Sequence, residues 1–464
     1  MKMDQQGPAP LVELAIQSLL GNDLATIQVL GEIPRDLFPP LFIAAFNGGY
    51  NKTLTAMVRA WPYFCLHIGE LGVQEAHDER LKAIIDGLQV LPEQNAATGG
   101  SKLKVLDLRL HSHCRIICPK SLAMRPSCSH SCPSLQHSLL KDEAPHSIVN
   151  LESTSQVSRS PVELLVDLSL DYTSMAGEFH FALLSKVQQS LGYLHFCCRD
   201  LQIYEFSKYK NIARFMNMVC IDHLTVDQAS LSEVTTLLSR MVQLESLSLS
   251  KITFRSLKGK VFRKFLSHIE RMGTLQQIYL SYFCLRDHLH EVLRALPSEL
   301  DFLNLPFCEL SYRDFTHLSQ SPQATQLKVL NLSNNPIRSE DIEPLQVLLE
   351  KLSGSLQHLE LNRCLMTDSI LSRLLPAISR CSSLSGFSFV SNPITMSMLM
   401  RVVQHLTPLT ELKCVFYATP SHCYEQQFFH GSINLEKLAE VEAQLNMMVH
   451  RAHRDDMNWS TYSE

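Results

Sequence analysis

Long apolar segments and an excess of positive charge are both missing from this chain of 464 residues. Although 45% of the residues are hydrophobic, the longest apolar runs fall far short of the ~18–20 residues that a membrane-spanning helix needs. Charged residues make up only 19%, with 41 Lys and Arg against 46 Asp and Glu, which gives a net charge of −5. Proteins that bind nucleic acid by releasing counterions usually carry a basic surface. We therefore expect neither a membrane partner nor direct contact with nucleic acid.

Signals for secretion and for a disulfide-rich fold are missing as well. Residues 1–20 contain the acidic Asp4 and Glu13 and show neither a basic segment nor a small-residue cleavage site. The 14 cysteines are too few for a disulfide scaffold, so we expect reduced thiols that pack as small hydrophobic side chains. These features predict an intracellular protein, located in the cytoplasm, the nucleus or both.

The sequence also carries no catalytic signature. It contains no Gly-rich phosphate loop, no nucleophile elbow and no paired-carboxylate motif. We therefore predict that the chain is not an enzyme and that it needs no cofactor.

A leucine hexad, L-x-x-L-x-L, recurs along the chain at intervals of 25–31 residues. This spacing is typical of long leucine-rich repeats, in which each unit is one strand and one helix that stack on the next unit. We predict an α/β fold, a leucine-rich-repeat solenoid whose curved parallel sheet has helices outside it. Clear copies start at Leu244, Leu275, Leu300, Leu327 and Leu356, degenerate copies are Leu384/Phe387/Phe389 and Leu409/Leu412/Cys414, and weaker copies begin upstream at Leu103.

A small side chain follows several hexads at a fixed position. It is Cys308, Asn335 and Cys364 after three clear copies and Asn392 after a degenerate one. This position calls for a side chain that hydrogen-bonds the turning backbone of the neighbouring repeat.

The segments outside the repeats predict further regions. Residues 1–95 contain short predicted helices at 11–20, 39–46 and 52–60 and form an N-terminal helical cap. Residues 111–160 are rich in Ser, His and Pro and predict a flexible surface insertion. The remaining boundaries are 96–110 for a first repeat strand, 161–433 for the solenoid, and 434–464 for a C-terminal capping helix and tail.

Side chains between the hexad leucines point to the opposite face of the sheet, the concave one. Exposed apolar groups there are candidate contacts for a protein partner. The alternative is that loops or helices of the same chain cover them. The candidate surface consists of Tyr279, Phe302, Asn304, Val329, Asn331, His358 and Glu360.

The insertion contains cysteines at loose zinc-ligand spacing. Cys114 and Cys118 form one pair with three residues between them, and Cys128 and Cys132 form another. The spacing is wider than in a zinc knuckle, and the Ser and Pro content is typical of a disordered loop. We therefore assign no metal and keep these four cysteines as weak zinc candidates.

Two N-terminal stretches outside the repeats resemble the signature of the PRAME family of leucine-rich-repeat proteins. They are Ile33 to Phe46, IPRDLFPPLFIAAF, and Ala56 to Leu66, AMVRAWPYFCL. Further similarity occurs at Phe196–Leu201 and His317–Pro322, and from Tyr417 to Glu425. The resemblance covers nearly the whole chain in order.

Membership of this family implies a substrate receptor of a cullin-2 ubiquitin ligase that binds elongin C with elongin B, cullin-2 and an unidentified protein substrate. The matching elongin-binding box is Pro10, Leu11, Ala15 and Leu19, with Ala15 where the family pattern has Cys most often. The matching cullin-2 box is Ile33, Pro34 and Leu37. Effects on proliferation and differentiation are further expectations from the family.

The family resemblance leaves a second function open, a repeat scaffold or corepressor of the retinoic-acid-receptor type that recruits no ligase. Two L-x-x-L-L segments, starting at Leu345 and Leu371, could be receptor contacts, but both fall on predicted repeat helices whose leucines should be buried. The exposure of the box separates the two functions. Leu11 and Leu19 should face solvent in a ligase adaptor and should pack on the first repeat otherwise.

Overall fold

The computed structural model describes residues 11–72, 78–88, 101–109, 116–118, 161–170, 176–190, 192–206, 218–424 and 432–461. The chain divides into two compact units. The first comprises Met1–Tyr204 and Lys208–Ile221, and the second comprises Glu205–Ser207 and Asp222–Glu464.

The first unit combines helices with a four-stranded parallel sheet. Its described helices are α1 (Leu11–Leu20), α2 (Asp23–Val29), α3 (Phe38–Gly48), α4 (Asn51–Arg59), α5 (Asp78–Gly87) and α6 (Ala176–Gln189). Its described strands are β1 (Cys65–His67), β2 (Val105–Asp107), β3 (Val162–Leu170) and β4 (Leu194–Tyr204), paired in chain order. The three helices predicted at 11–20, 39–46 and 52–60 are confirmed as α1, α3 and α4.

Strand β1 lies inside the segment that the sequence predicted to be helical. Its central residue, Leu66, is in register with Leu106 of β2, which is in register with Leu164 of β3. All three side chains are buried. The indole Nε1 of Trp61 donates to the carbonyl oxygen of Cys65 at 3.0 Å, so an aromatic side chain that is itself fully buried fixes the start of the strand.

The second unit repeats a strand and a helix. Its described strands are β5 (His223–Asp227), β6 (Ser246–Ser250), β7 (Gln277–Ser281), β8 (Phe302–Asn304), β9 (Val329–Asn331), β10 (His358–Glu360), β11 (Gly386–Ser388), β12 (Cys414–Phe416) and β13 (Asn458–Ser460). Its described helices are α7 (Leu231–Leu238), α8 (Lys260–Ile269), α9 (Leu289–Ala295), α10 (Tyr312–Gln320), α11 (Ile342–Lys351), α12 (Asp368–Ile378), α13 (Met396–Leu406) and α14 (Leu435–Arg451).

All nine strands of this unit pair in parallel and in chain order. The middle hexad residue of each repeat stacks on that of the next, as Leu303, Leu330 and Leu359 do, and these side chains are buried. The predicted α/β leucine-rich-repeat fold is therefore confirmed.

The last predicted hexad is out of register with the structure. The sequence placed it at Leu409, Leu412 and Cys414, but β12 begins at Cys414, whose side chain is exposed. The inward residues are Leu412, Val415 and Tyr417, all of them buried. The sequence favours Leu409 and Leu412 because they are three residues apart, as in the other hexads. In the structure, Val415 and Tyr417 occupy the following core positions.

The predicted C-terminal capping helix exists as α14, but it is not the last element. Leu438, Val441 and Leu445 are buried, whereas Leu435 is 71% exposed. Beyond α14, strand β13 pairs with β12 and adds one more strand to the sheet.

The helices of the repeats bury their leucines as expected. The leucines of both L-x-x-L-L segments, on α11 and α12, are at most 3% exposed. This finding confirms that they belong to the core. None of the described helices combines the length and the apolarity needed to cross a bilayer.

Candidate functional site

Helix α1 has apolar side chains on two opposite faces. Ile16 and Leu20 are buried against the first unit, whereas Leu11 is 85% exposed and Leu14 is 50% exposed. At 3.6 residues per turn, Leu11, Leu14 and the exposed Ala15 lie on the side of the helix opposite Ile16 and Leu20. A surface helix usually has a polar outer face, so this one presents an apolar surface without a covering element of the described chain.

The residues of the predicted elongin box follow this outer face only in part. Leu11 and Ala15 are exposed, Leu19 is half-buried at the edge of the face, and Pro10 lies outside the described residues. Leu24, at the start of α2, is 70% exposed and enlarges the apolar area in the same corner of the unit. The adaptor interpretation requires both Leu11 and Leu19 to face solvent; Leu11 does so, and Leu19 does so only in part.

Hydrogen bonds hold this corner in place. The side chain of Asn22 caps α2 by accepting from the backbone nitrogen of Ala25 at 3.2 Å, and the Thr26 hydroxyl donates to the carbonyl oxygen of Leu19. The Thr53 hydroxyl of α4 donates to the carboxylate of Asp23 at 2.8 Å. These contacts fix the angle between α1 and α2 and so fix the direction of the exposed face.

The predicted cullin-2 box forms a tight turn that leads into α3. Pro34 is exposed, whereas Ile33 and Leu37 are half-buried. The backbone nitrogen of Leu37 donates to the carbonyl oxygen of Pro34 at 3.0 Å, and the Tyr63 hydroxyl donates to that of Arg35 at 2.9 Å. The box is therefore a fixed surface feature of the first unit.

The candidate concave surface of the second unit is arranged in two rows that cross neighbouring strands. Phe302, Val329 and His358 occupy equivalent positions on β8, β9 and β10. Tyr279, Asn304, Asn331 and Glu360 form the second row on β7 to β10. Pairing in register thus brings all seven predicted residues onto one face of the sheet.

The exposure of these seven residues varies. His358 is exposed, and Tyr279, Phe302 and Val329 are half-buried rather than fully exposed. Asn304 differs from the expectation because it is only 6% exposed. Within the described part of the chain its amide nitrogen Nδ2 has no hydrogen-bond partner. This face therefore offers half-buried apolar area, whereas the amide of Asn304 is buried in the sheet.

Polar groups of the same face are held by their neighbours. The amide Nδ2 of Asn331 donates to the carboxylate of Glu360 at 2.8 Å, and burial raises the pKa of that carboxyl group. Gly386, next to His358 on β11, leaves room for the imidazole, because a Cβ there would lie 2.5 Å from His358 Nδ1. The His358 ring also lies 3.3 Å from the Ser385 hydroxyl.

A third row, which the sequence did not reveal, lies just beyond the carboxyl ends of the strands. One residue of each repeat, at Tyr282, Phe307, Asn334, Arg363 and Ser391, has a left-handed backbone with φ between 52° and 59°. The rings of Tyr282 and Phe307 stack with centroids 4.1 Å apart. These five residues line a shallow depression of about 670 Å³. Asn331 and Glu360 of the second row line the same depression, so this third row extends the candidate binding surface.

The small residues after the hexads act as predicted. The Asn335 side-chain oxygen accepts from the backbone nitrogens of Cys308 and Leu310 at 3.2 and 3.1 Å, and Asn392 does the same for Cys364 and Met366 at 3.0 Å each. The amide side chain of one repeat therefore satisfies the turning backbone of the preceding repeat.

A group of metal-binding side chains lies in the interior of the first unit. The potential ligand atoms of Cys65, His67 and Cys118 lie within 4.8 Å of one another. His67 Nε2 is 3.2 Å from the Cys118 sulfur, and His67 Nδ1 is 3.0 Å from the Asp107 carboxylate. Of the four cysteines proposed from sequence, Cys118 alone belongs to this group. The other three, Cys114, Cys128 and Cys132, lie outside the described residues.

The charged side chains around this group form hydrogen bonds with one another. Arg109 donates from Nε and from Nη2 to the two carboxylate oxygens of Asp107, each at 2.9 Å. Burial opposes the charged form of Asp107, but these bonds and the one from His67 hold its pKa well below the usual range. Burial likewise opposes a charge on His67, but the hydrogen bonds with Asp107 and Cys65 raise its pKa to about 10. The ring is therefore oriented by Asp107, with Nε2 directed at sulfur.

Two models of one known family match separate parts of the chain. A family model described as the PRAME N-terminal domain matches residues 8–113, and one described as the PRAME C-terminal domain matches residues 162–462. The chain belongs to the PRAME family. The first match includes the exposed corner on α1 and α2, and the second includes the repeats with all three rows of the candidate binding surface.

Human relatives match this chain over nearly their full length. The chain is 31% identical to human PRAME family member 20, over 96% of this chain and 92% of the relative. It is 32% identical to members 12 and 8, again over 96% of this chain and over 90% and 92% of the relatives. Among solved structures, a yeast Rad7 and Elc1 complex matches 89% of this chain and 95% of the other at 14% identity, with a TM-score of 0.39.

Proposed function

We propose that this PRAME-family chain is the non-catalytic substrate-recognition subunit of a cullin-2 RING E3 ubiquitin ligase. Helix α1 binds elongin C, which is accompanied by elongin B, and the turn at Ile33–Leu37 contacts cullin-2. The open face of the repeat sheet binds the protein that is to be ubiquitylated. The observation that carries the proposal is the outward apolar face of α1, headed by Leu11 at 85% exposure.

The exposed face of α1 has the form that docking into a groove requires. In this mode a helix inserts apolar side chains from one face into a hydrophobic groove of its partner. Leu11 supplies the large side chain, and Ala15, one turn further along, is small enough to allow the backbones to approach. Burial of one leucine contributes about 1.5–3 kcal/mol. Ile16 and Leu20 anchor the helix to its own chain and leave this face available.

Substrate binding is assigned to the second unit. The half-buried Phe302 and Val329 provide apolar area, and the exposed His358 beside them provides a polar group for the substrate. The stacked Tyr282 and Phe307 extend this surface at the carboxyl edge of the sheet. Aromatic side chains of this kind are enriched among the residues that dominate binding energy at interfaces.

This division of roles leaves ubiquitin transfer to other subunits. The chain would hold a substrate near the loaded ubiquitin and so raise the effective concentration of the reacting groups. No catalytic group of this chain is needed for that role.

The proposal is tested by co-purification of the tagged full-length chain with elongin B, elongin C and cullin-2. A Leu11→Asp variant should lose all three partners because a carboxylate cannot enter an apolar pocket without a large desolvation cost. Gln17 is also exposed, on the flank of the same helix, and Gln17→Asp should retain them. Pro34→Ala should retain the elongins and lose cullin-2.

Two outcomes would reject this proposal. Retention of elongin by Leu11→Asp would show that α1 is not the docking helix. If the wild-type chain binds neither elongin nor cullin-2, the alternative is a repeat scaffold or corepressor that acts through the concave surface alone.

A further inference from the structure

We propose that Cys65, His67 and Cys118 bind a zinc ion in the interior of the first unit. Thiolate sulfur and imidazole nitrogen are the ligands that zinc prefers in proteins. The three residues come from two separate stretches of the chain, since Cys65 and His67 lie on β1 and Cys118 lies 51 residues beyond His67. The inference does not depend on elongin binding.

The distances between the ligand atoms suit a tetrahedral ion. With Zn–S near 2.3 Å and Zn–N near 2.0 Å, ligand atoms of a tetrahedral site lie roughly 3.5–3.8 Å apart. The three atoms here lie within 4.8 Å of one another, and the Cys118 sulfur is 3.2 Å from His67 Nε2. Shifts of at most about an ångström would therefore admit the ion.

Asp107 provides the outer contact that zinc-binding histidines usually have. A ligating imidazole almost always donates a hydrogen bond from the N–H of its other nitrogen to a carboxylate or a carbonyl oxygen. This bond fixes the ring and makes it a stronger ligand. His67 Nδ1 contacts Asp107 at 3.0 Å, and Arg109 holds that carboxylate from the other side. Nε2 is thereby directed at the sulfur atoms.

The backbone around the group brings its two parts together. The backbone nitrogen of His67 donates to the carbonyl oxygen of Ile116 at 2.9 Å, and that of Cys118 donates to the sulfur of Cys65 at 3.2 Å. Residues 116–118 thus lie along β1. A zinc ion would cross-link them to this strand and fix the point where the segment between β2 and β3 meets the sheet.

The site is structural rather than catalytic because a substrate cannot reach it. Cys65, His67 and Cys118 are 0%, 1% and 2% exposed. Among the described residues, these three side chains are the only His, Cys or carboxylate groups that join the cluster.

The test measures metal in the full-length chain, purified under reducing conditions without chelator and incubated with zinc before removal of the excess. Mass spectrometry of the metal content should give one zinc per chain, and zinc-edge X-ray absorption should show both sulfur and nitrogen ligands. The double variant Cys65→Ser, Cys118→Ser should lose the ion. Cys220→Ser is the matched control, because Cys220 packs in the same apolar cluster without belonging to the ligand group.

A second variant keeps the test independent of folding. Asp107→Asn leaves all three ligands in place, and loss of such an outer contact typically lowers metal affinity about 10–100-fold. Competition with a chelator should show that drop, while circular dichroism confirms that the fold is retained.

Several results would overturn the inference. They are a wild-type chain without zinc after incubation, zinc retained by the double variant, or zinc lost from Cys220→Ser. Loss of the ion from a Cys128→Ser, Cys132→Ser variant would also contradict it, since the metal would then belong to the insertion. A zinc-free wild type would mean that hydrogen bonds among His67, Asp107 and the thiols are sufficient to hold these side chains together without a metal ion.

Discussion

Replacement of Asn335 by alanine should destabilise the second unit more than any substitution of comparable size at its surface. Asn335 is fully buried between two repeats. Its Oδ1 accepts from the backbone nitrogens of Cys308 and Leu310, and its Nδ2 donates to the carbonyl oxygens of Leu305 and Leu332 at 2.7 and 2.9 Å. One side chain therefore satisfies groups on both sides of the repeat boundary.

The expected magnitude follows from the groups that Asn335→Ala leaves without partners. Each buried backbone N–H that loses its acceptor costs about 1–3 kcal/mol, so two of them cost about 2–6 kcal/mol in the free energy of unfolding. Cys308→Ala is the matched control at the equivalent position of the preceding repeat. Its thiol is a weak donor to the carbonyl oxygens of Leu280 at 3.0 Å and Pro306 at 3.6 Å, and its loss should cost about 1 kcal/mol.

Urea unfolding monitored by circular dichroism gives the stability of both variants. Hydrogen exchange measured by mass spectrometry locates the effect, because Asn335→Ala should accelerate exchange in peptides that contain the amides of Cys308 and Leu310. In repeat proteins a local loss is shared mainly with the nearest units, so peptides from β6 should change less. Equal destabilisation by Asn335→Ala and Cys308→Ala, or unchanged protection of those two amides, would refute the reasoning.

Two further substitutions test the C-terminal end of the sheet and the concave face. The guanidinium of Arg454 donates to four backbone carbonyl oxygens, so Arg454→Met should lower the stability of β13 by about 2–4 kcal/mol. Fluorescence of Trp459 on β13 should then change at lower urea, whereas the exposed Arg451→Met should match wild type. Gly386→Ala should displace the His358 imidazole without a large loss of stability. The Cε1–H resonance of His358 in NMR spectra should therefore shift, and an unchanged resonance would contradict the displacement.

Much of the fold could be predicted because the hexads report a local property. Alternating inward leucines and small residues at Asn335 and Asn392 each follow from the packing of one repeat on the next. Strand β1 escaped prediction because three residues such as Cys65–His67 are too few to show a period. The register of the hexad at β12 was predicted wrongly because Val415 and Tyr417 fill core positions that leucine usually fills.

The residues of the candidate sites could also be predicted from the sequence only in part. The box residue Leu11 was proposed from the family's box pattern, and helical spacing alone could not show which face of α1 is outward. Tyr282 and Phe307 were missed because their position depends on a left-handed turn after the strand. The group around His67 joins residues distant in sequence, and its only local sign was the Cys65-x-His67 pair.

The distribution of exposed apolar side chains is the strongest reason to treat the N-terminal corner as a docking surface. Among the described residues, 14 large hydrophobic side chains are exposed, and Leu11, Val12, Leu14 and Leu24 account for four of them within 14 residues. Isolated exposed hydrophobic residues are normal on any protein surface, but Leu11 and Leu14 lie on the same face of α1, and grouped apolar side chains of this kind are typical of an interaction site. Since α1 is already anchored through Ile16 and Leu20, folding of the first unit does not require the outward leucines. The elongin C partner that we propose would bury them.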